Sequence, residues 1–235
     1  MKAKFNLAPL TLPVTPPEPQ SVAQTEQLQA RLPELAQQIR SQPTPTLRPD
    51  GFPPSYQTMQ QTNFAARHGD YRLHTGGDVF IHATREQGRA EGEFQGDKVH
   101  LSVHPDHLDR AFAELGPLLF SGDSPIDKWK VTDLAKVDRD SRVAKGAQFT
   151  LYIKPEQADS QYQARDLGRV RHFIEQLESS LNRAGIPLGE APASDVAPHH
   201  WHYTSYRNEH RSDRDGSADQ ATRLREEPVY RLLTE

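Results

Sequence analysis

The chain has 235 residues, with 28 Lys and Arg against 32 Asp and Glu, and it contains no cysteine. This length suits one globular domain with room for a tail, and the net charge of −4 excludes a generally basic, nucleic-acid-binding protein. The lack of cysteine excludes disulfides, thiolate zinc sites and cysteine nucleophiles. No apolar run approaches the length of a membrane span and no hydrophobic signal peptide opens the chain, so the sequence predicts a soluble protein without a membrane partner.

Prolines divide the chain, since eleven of the 19 lie within the first 60 residues. Stretches such as 13–19 and 43–45 are typical of extended, poorly ordered chain. Between them, apolar side chains recur at helical spacing and predict one amphipathic helix over residues 22–41, although Pro33 interrupts it. The apolar stripe consists of Leu28, Leu32, Leu35 and Ile39.

From about residue 70 onwards the pattern is that of a globular domain, with alternating runs that predict strands and runs of period 3.6 that predict helices. The predicted elements are strands at 78–83, 98–103 and 147–154, a helix after Pro105 marked by Leu108, Phe112 and Leu115, and a helix over about 161–184. Residues 195–216 are polar and irregular, which favours a site-forming loop. The sequence therefore predicts an α+β fold: a single domain with a small mixed or antiparallel sheet flanked by helices, and a proline-rich, partly disordered N-terminal segment.

The run from Gly96 to Val103 is the most informative strand. Its alternation places Val99 and Leu101 on one face, and Lys98 and His100 on the other. A cation beside a titratable imidazole on one face of a strand is unfavourable unless an anion meets them. Further cations occur in compact stretches downstream, and the simplest ligand for the whole set is a phosphate group. These cations are Lys128, Lys130, Arg142, Arg207, Arg211 and Arg214.

Arginine binds a phosphate dianion well because its planar fork donates two aligned hydrogen bonds, so Arg142 and Arg207 are candidate ligands. The alternative is that these arginines pair with acids, of which Glu209, Asp213 and Asp215 are near in sequence. His100 could act as a general acid held protonated by the phosphate. The alternative for a strand histidine is a structural hydrogen bond to a carbonyl group.

Lys130 could act as a general base, but only in its neutral form. Neighbouring cations and partial burial lower the pKa of a lysine, and Trp129 is expected to provide apolar cover. The alternative is an ordinary solvated lysine. Tyr152 and Lys154 share the polar face of their strand, where they either contribute to the site or line the surface.

Three histidines around Trp201 suggest a metal site, but neighbouring histidines rarely converge on one ion and the helical i, i+4 pair is missing. The sequence therefore predicts neither a metal nor another cofactor. The histidines concerned are His199, His200 and His202.

Six separated segments, in order along the chain, resemble the phosphothreonine lyase family, whose members are bacterial effectors delivered by type III secretion. The resemblance covers about residues 70–235 and includes little of the proline-rich N-terminal part. The six segments are 77–83, 96–100, 127–133, 146–155, 205–209 and 225–235.

The resemblance implies an enzyme that removes phosphate from the threonine of the doubly phosphorylated pThr-x-pTyr loop of host mitogen-activated protein (MAP) kinases. The reaction is a β-elimination that needs no metal, and its product, dehydrobutyrine, cannot be rephosphorylated. At matching positions, Lys130 is implied as the base that takes the Cα proton and His100 as the acid that protonates the leaving phosphate. The other implied site residues are Lys98, Arg142 and Arg207 on the phosphothreonine, Tyr152 as support, Arg214 and Lys154 on the second phosphate, and Phe94 and Asp195 without a defined role.

The N-terminus has a second similarity, to kinase-docking peptides in which cations precede alternating apolar residues. The residues concerned are Lys2, Lys4, Leu10 and Leu12. The alternative is an unstructured secretion signal. The sequence thus predicts a flexible secretion and docking segment (1–21), a helix and proline-rich linker packed on the domain (22–69), and the catalytic domain (70–235).

The partners implied are host doubly phosphorylated MAP kinases, and a secretion chaperone is a further candidate partner. The protein is expected to be a monomer that binds no nucleic acid. It would act in the cytoplasm or nucleus of the host cell after type III secretion. Two alternatives use the same basic pocket: a metal-independent protein phosphatase, and a non-catalytic phosphopeptide-binding module. A pure binder has no use for a strand histidine and a neutral lysine, so His100 and Lys130 favour the enzyme.

Overall fold

The protein is described here by a computed structural model, which covers residues 19–61, 66–75 and 77–235. These residues form one seven-stranded sheet and eight α-helices. The strands are β1 (Ala66–His68), β2 (Tyr71–His74), β3 (Phe80–Arg85), β4 (Asp97–Leu101), β5 (Lys128–Thr132), β6 (Phe149–Tyr152) and β7 (Thr204–Asn208). The helices are α1 (Pro19–Ala30), α2 (Leu32–Ser41), α3 (Tyr56–Gln61), α4 (Leu108–Leu119), α5 (Arg142–Lys145), α6 (Ala164–Arg183), α7 (Ala218–Glu226) and α8 (Pro228–Thr234).

The sheet has the strand order β1-β2-β3-β5-β6-β4-β7, and each pair of neighbouring strands is antiparallel. β6 lies between β5 and β4, so it joins two strands that are distant in sequence. Helices flank the sheet, and the α+β class predicted from the sequence is confirmed.

One face of the sheet is apolar and forms the core together with the helices. Phe112 of α4 stacks on Phe149 of β6 with ring centroids 6.3 Å apart, and it also contacts Trp129 of β5. Val99 and Leu101 of β4 lie on this face and are fully buried, as their alternation predicts. Burying this face against helices leaves the opposite, polar face of the central strands for ligands.

The long helix α6 confirms the helix predicted over about 161–184, and it also positions a strand of the site. Glu178 on α6 is buried, and its carboxylate accepts hydrogen bonds from the backbone N–H groups of His202, Tyr203 and Thr204 at 2.7–3.0 Å. The helix therefore fixes the start of β7. The buried stripe consists of Leu167, Val170, Ile174, Leu177 and Leu181.

The single helix predicted over residues 22–41 is wrong in one respect, since the structure has two helices that meet at Arg31. Pro33 lies in the first turn of α2, where its missing N–H needs no partner, whereas inside a continuous helix it would remove a hydrogen bond. The apolar stripe is nevertheless buried in the common core.

The prediction of an irregular loop over residues 195–216 is also wrong, because this stretch contains β7. Trp201 within it is buried and packs edge-on against Tyr230 of α8. The strand β5 and the short strands β1 and β2 had no strand prediction either. The docking residues Lys2, Lys4, Leu10 and Leu12 lie outside the described residues, and no helix among the described ones is long and apolar enough to cross a membrane.

Candidate active site

Two rows of polar side chains cross the face of the sheet opposite the core. They arise because residues paired across antiparallel strands lie side by side, and because positions two apart on a strand share a face. The first row is Lys128, Tyr152, Lys98 and Arg207 on β5, β6, β4 and β7. The second is His82, Lys130, Thr150, His100 and Ser205 on β3, β5, β6, β4 and β7.

The second row brings the two predicted catalytic residues to either side of Thr150. Lys130 and His100 both pair with Thr150, and their strands are separated by β6 alone. Two strand spacings put their Cα atoms about 10 Å apart. Thr150 has a shorter side chain than either neighbour and is 3% exposed.

His100 is held from behind by Asp195, a residue for which the sequence suggested no role. The Nδ1 atom of His100 lies 2.6 Å from Oδ2 of Asp195, and both side chains are buried. Asp195 also accepts hydrogen bonds from the hydroxyl groups of Ser205 and Ser194. In this contact Nδ1 of His100 carries a proton and donates it in a hydrogen bond to Asp195. Nε2 is then the nitrogen that can exchange a proton with a ligand.

Burial lowers the pKa of His100 below its ordinary value, and the hydrogen bond to Asp195 opposes this shift. Burial raises the pKa of Asp195, but the hydrogen bonds from His100 and two serines outweigh it and leave that pKa lowered. Without a ligand, His100 is therefore mostly neutral at pH 7. An arriving phosphate dianion favours the imidazolium form, which is the form that can act as an acid.

Lys130 has the surroundings that a basic lysine needs. Burial lowers its pKa to about 8, and the ammonium groups of Lys98 and Lys128 add to this, against Asp78 and Glu209. About one tenth of Lys130 is then neutral at pH 7.

The aromatic cover of Lys130 comes from a different residue than the sequence suggested. Trp129 is fully buried on the opposite, core face, because neighbouring residues on a strand point to opposite sides. Phe80 of β3 lies against the ammonium group instead, with Nζ 3.5 Å from the ring centroid. The prediction of Trp129 as cover is therefore wrong.

The predicted phosphate ligands Lys98 and Arg207 are neighbours on β4 and β7 and are both buried. Lys98 donates a hydrogen bond to the carboxylate of Glu209, which follows β7. Arg207 is fixed by Ser212, whose hydroxyl and carbonyl oxygens accept from Nε and Nη2 at 2.9 and 3.0 Å. These contacts hold both cations at the same edge of the polar face.

Arg142 and Arg214 differ from Arg207, because no side-chain hydrogen bond or ion pair holds either of them within the described part of the chain. Arg142 opens the short helix α5, and Arg214 lies in the loop after β7; both are exposed. Partial burial lowers the pKa of Arg142, and the nearby positive charge of Arg214 lowers it further. Lys154, two residues beyond Tyr152, is half-buried and likewise has no hydrogen-bonded partner among the described residues.

Arg211 does not belong to this set, although the sequence grouped it with the phosphate-binding cations. Its guanidinium binds Glu227 through two nitrogens at 2.9–3.2 Å and lies 3.9 Å from the buried carboxylate of Asp97. Two fixed carboxylates already compensate its charge. Arg211 is therefore a structural residue that ties the loop after β7 to α8.

Tyr152 and Phe94 form an aromatic wall beside Lys98. Their rings meet edge to face with centroids 5.5 Å apart, and Phe94 also contacts His210. The ammonium group of Lys128 lies over the Tyr152 ring, 4.9 Å from its centroid. Burial raises the pKa of Tyr152 to about 12, so its hydroxyl is neutral and can donate a hydrogen bond.

No group of three His, Asp or Glu side chains in the described ranges is arranged to hold a metal ion. The rings of His199 and His200 contact one another at 5.3 Å, and His202 is exposed beside Glu178. The site therefore consists of lysine, histidine and arginine side chains on a polar sheet face.

Sequence reasoning missed several residues of this site: Thr150, Ser205, Phe80 and Ser212. It named Glu209 only as an acid that could pair with the arginines, whereas its partner is Lys98. Alternation alone places Thr150 on the polar face of its strand, and that signal was available. The partners of Lys98 and Arg207 depend on how β4 pairs with β7, which no local pattern gives.

Comparisons with known proteins show which family the chain resembles over its whole length. The family model described as OspF/SpvC matches residues 1–235, which extends beyond the 70–235 covered by the sequence resemblance. The "MAPK phosphothreonine lyase" of Salmonella typhimurium strain LT2 is 47% identical over 232 residues, covering 98% of this chain and 96% of that protein. "Phosphothreonine lyase OspF" of Shigella flexneri is 47% identical over 232 residues, covering 99% and 97%.

A solved structure has the same fold. The Chromobacterium violaceum VirA (SpvC) phosphothreonine lyase effector protein superimposes with a TM-score of 0.88 at 50% sequence identity, covering 91% of this chain and 100% of that one. With the family model matched over the whole length and relatives near half identity, the chain belongs to the OspF/SpvC family of phosphothreonine lyases.

Proposed function

We propose that this protein removes phosphate by β-elimination from the phosphothreonine of the doubly phosphorylated pThr-x-pTyr loop of host MAP kinases. The relatives from Salmonella and Shigella are named for phosphothreonine lyase activity, and the Salmonella proteins for MAP kinases as well. The observation that supports the proposal best is the row in which Lys130 and His100 flank Thr150.

The first row and the free arginines would bind the phosphate of the substrate threonine. Lys98 and Arg207 lie together at one edge, and Arg142 and Arg214 have guanidinium groups without partners among the described residues. A phosphate dianion is compensated by several such donors. The same donors stabilise the charge that develops on the leaving phosphate during the reaction.

Neutral Lys130 would then take the Cα proton of the phosphothreonine. The electrons of that C–H bond form the Cα=Cβ double bond, and the Cβ–O bond breaks with its electrons on the phosphate oxygen. His100 gives its Nε2 proton to this oxygen, so the products are dehydrobutyrine and inorganic phosphate. The Cα proton is a weak acid, and protonating the leaving group together with cationic neutralisation lowers the barrier.

The second phosphate of the substrate, on tyrosine, would meet Arg214 and Lys154. Arg214 is close enough to Tyr152 to act on its pKa, Lys154 follows Tyr152 by two residues, and neither cation has an ion pair with any residue that the structure describes. A tyrosine ring can pack against such a wall while its phosphate faces the cations.

The N-terminal segment would supply the affinity for intact kinase, through Lys2, Lys4, Leu10 and Leu12. Deleting residues 1–12 should weaken action on intact kinase and leave turnover of a short phosphopeptide unchanged. An equal loss on both substrates would reject docking by this segment. We place the action of the protein in the cytoplasm or nucleus of the host cell, after type III secretion, since related structures are of effector proteins.

Mass spectrometry of a pThr-x-pTyr peptide after incubation with the protein in excess chelator tests the reaction. Elimination predicts a product lighter than the threonine peptide by one water, with phosphotyrosine intact. Recovered threonine would mean hydrolysis and would remove the roles given to Lys130 and His100. An unchanged peptide that co-elutes with the protein would support a binding module.

A further inference from the structure

Glu209 stands out among the residues of the phosphate site, because it is an acid where an anion has to bind. Its carboxylate accepts a hydrogen bond from the Nζ atom of Lys98, a residue that is only 5% exposed. No other carboxylate in the described ranges forms an ion pair with Lys98. The ammonium group that the reaction needs is thus already occupied by an anion of the protein itself.

The backbone around Glu209 is fixed, whereas its side chain can turn. The N–H of Glu209 donates to the carbonyl of Gly96 at 2.8 Å, which continues the ladder between β4 and β7. The next two backbone N–H groups donate to the side-chain oxygen of Asn208 at 3.0 Å. The Glu209 side chain itself remains about one third exposed, so its carboxylate can leave Lys98 without movement of the loop.

A buried ammonium group without a partner is strongly unfavourable, so Glu209 stabilises the free site. Burial raises the pKa of Glu209, but the hydrogen bond from Lys98 outweighs it, and the carboxyl group stays ionised. Any ligand of Lys98 must replace this contact. A carboxylate from a peptide offers only what Glu209 already provides, whereas a phosphate dianion brings more charge and a third terminal oxygen for Arg142 and Arg207.

We propose that Glu209 is a specificity-determining residue whose carboxylate takes the place of a phosphate oxygen on Lys98 in the free enzyme, so that phosphorylated threonine is bound and acidic side chains are rejected. This inference rests on the proposed function for the identity of the phosphate site. It adds a selection step that precedes the chemistry: exchange of one anion for another on a buried lysine.

Calorimetry with two ligands that are not turned over tests this role: inorganic phosphate, and a peptide with glutamate in place of the phosphothreonine. The variants are Glu209→Gln, which keeps the shape of the side chain, and Glu209→Ala. The control is Glu175→Gln, whose exposed carboxylate on α6 pairs with Arg171. We expect both Glu209 variants to bind the glutamate peptide about tenfold more tightly than the wild type, and phosphate more tightly as well, with the control unchanged.

A purely structural role for Glu209, holding Lys98 in place, predicts the opposite sign, namely weaker binding of both ligands by the Glu209 variants. Weaker or unchanged binding would therefore overturn the inference, and so would the absence of binding by wild type and variants alike. The experiment does not depend on turnover. If the protein proved to hydrolyse phosphothreonine instead of eliminating phosphate, the calorimetric result would still decide the role of Glu209.

Discussion

Burial shifts Lys130 towards the neutral form that its proposed role requires, but it shifts His100 away from the imidazolium form that its proposed role requires. Burial and two neighbouring ammonium groups lower the pKa of Lys130 to about 8, which provides some neutral base at pH 7. Burial lowers the pKa of His100, so the free enzyme has little imidazolium. A bound phosphate dianion raises the pKa of His100 and thereby couples the acid to the presence of its substrate.

The signs of these shifts give a pH dependence for kcat/KM on a phosphopeptide. The proposed roles require protonated His100 and neutral Lys130 in the wild type, so we expect a bell-shaped profile between the two pKa values. In His100→Asn, whose amide can still donate to Asp195, only Lys130 has to change state. We expect a loss of about 10²–10⁴ in rate, with residual activity that rises through about pH 8 and then levels off.

Rates measured from pH 6 to 10 for both proteins check this expectation. Circular dichroism and phosphate affinity at each pH serve as controls for folding and binding. A His100→Asn variant whose residual activity falls as the pH rises through 8 would contradict the role of Lys130 as a base that acts in its neutral form.

At the residue scale, alternation was enough to predict that Lys98 and His100 share the polar face and that Val99 and Leu101 face the core. It also predicts that Trp129 and Lys130 point to opposite sides of the sheet, which excludes Trp129 as cover for Lys130. Phe80, which covers Lys130, lies 50 residues away on β3. Such a contact depends on strand pairing and has no local signal.

Among the elements, β6 decides the geometry of the site, since it separates the strand of the proposed base from the strand of the proposed acid. Thr150 of β6 pairs with Lys130 on one side and His100 on the other. Its side chain is shorter than those of Lys130 and His100 on either side, and it sets the floor of the proposed reaction space. A larger residue there would fill the space between base and acid.

Replacing Thr150 with leucine should therefore abolish phosphopeptide binding, whereas Thr150→Val, which has nearly the same shape, should retain it within a few-fold. The reason is steric, because the added branch of leucine extends between Lys130 and His100. Calorimetry with a phosphopeptide in a Lys130→Ala background, which prevents turnover, measures the effect. Equal affinity of the leucine and valine variants would place the phosphothreonine elsewhere.

The strand β7 shows why local patterns failed for part of the site. Its residues are polar on both faces, yet all are buried. Arg207 is satisfied by Ser212, and Asn208 donates to Gln95 and Asp97. Since these partners lie in other segments, the sequence of β7 lacks the apolar alternation of a half-buried strand and resembles a loop.

For the molecule as a whole, the helix layer holds the sheet in register and includes residues from the proline-rich part of the chain. Leu35 of α2 is fully buried, and α2 contacts α6 and α8. We predict that residues 22–61 pack permanently on the domain. Leu35→Ala should then lower the free energy of unfolding by about 2–5 kcal/mol.

Urea denaturation of Leu35→Ala beside Leu188→Ala, whose side chain is 53% exposed, measures this contribution. The surface variant should change stability by less than about 0.5 kcal/mol, and both variants should keep the wild-type kcat on a short phosphopeptide. Unchanged stability in Leu35→Ala would mean that this segment detaches from the domain.

The general architecture followed from sequence patterns: the α+β class, the long helix and the two central strands. The order of the strands in the sheet could not be predicted from these patterns, because β5, β6, β4 and β7 come from four distant parts of the chain. The pairing of Lys130, Thr150 and His100 arises only from that order. For this reason the sequence yielded the residues of the site through their resemblance to a family, and the structure adds their arrangement.

Removal of the Cα proton is the central claim, and a phosphothreonine peptide deuterated at Cα tests it most directly. Single-turnover rates and product masses would be compared for the deuterated and ordinary peptides. We predict slower turnover of the deuterated peptide, and a product that has lost the deuterium and is lighter than the ordinary threonine peptide by one water. Release of phosphate with the deuterium retained in a threonine product would contradict elimination and the role of Lys130.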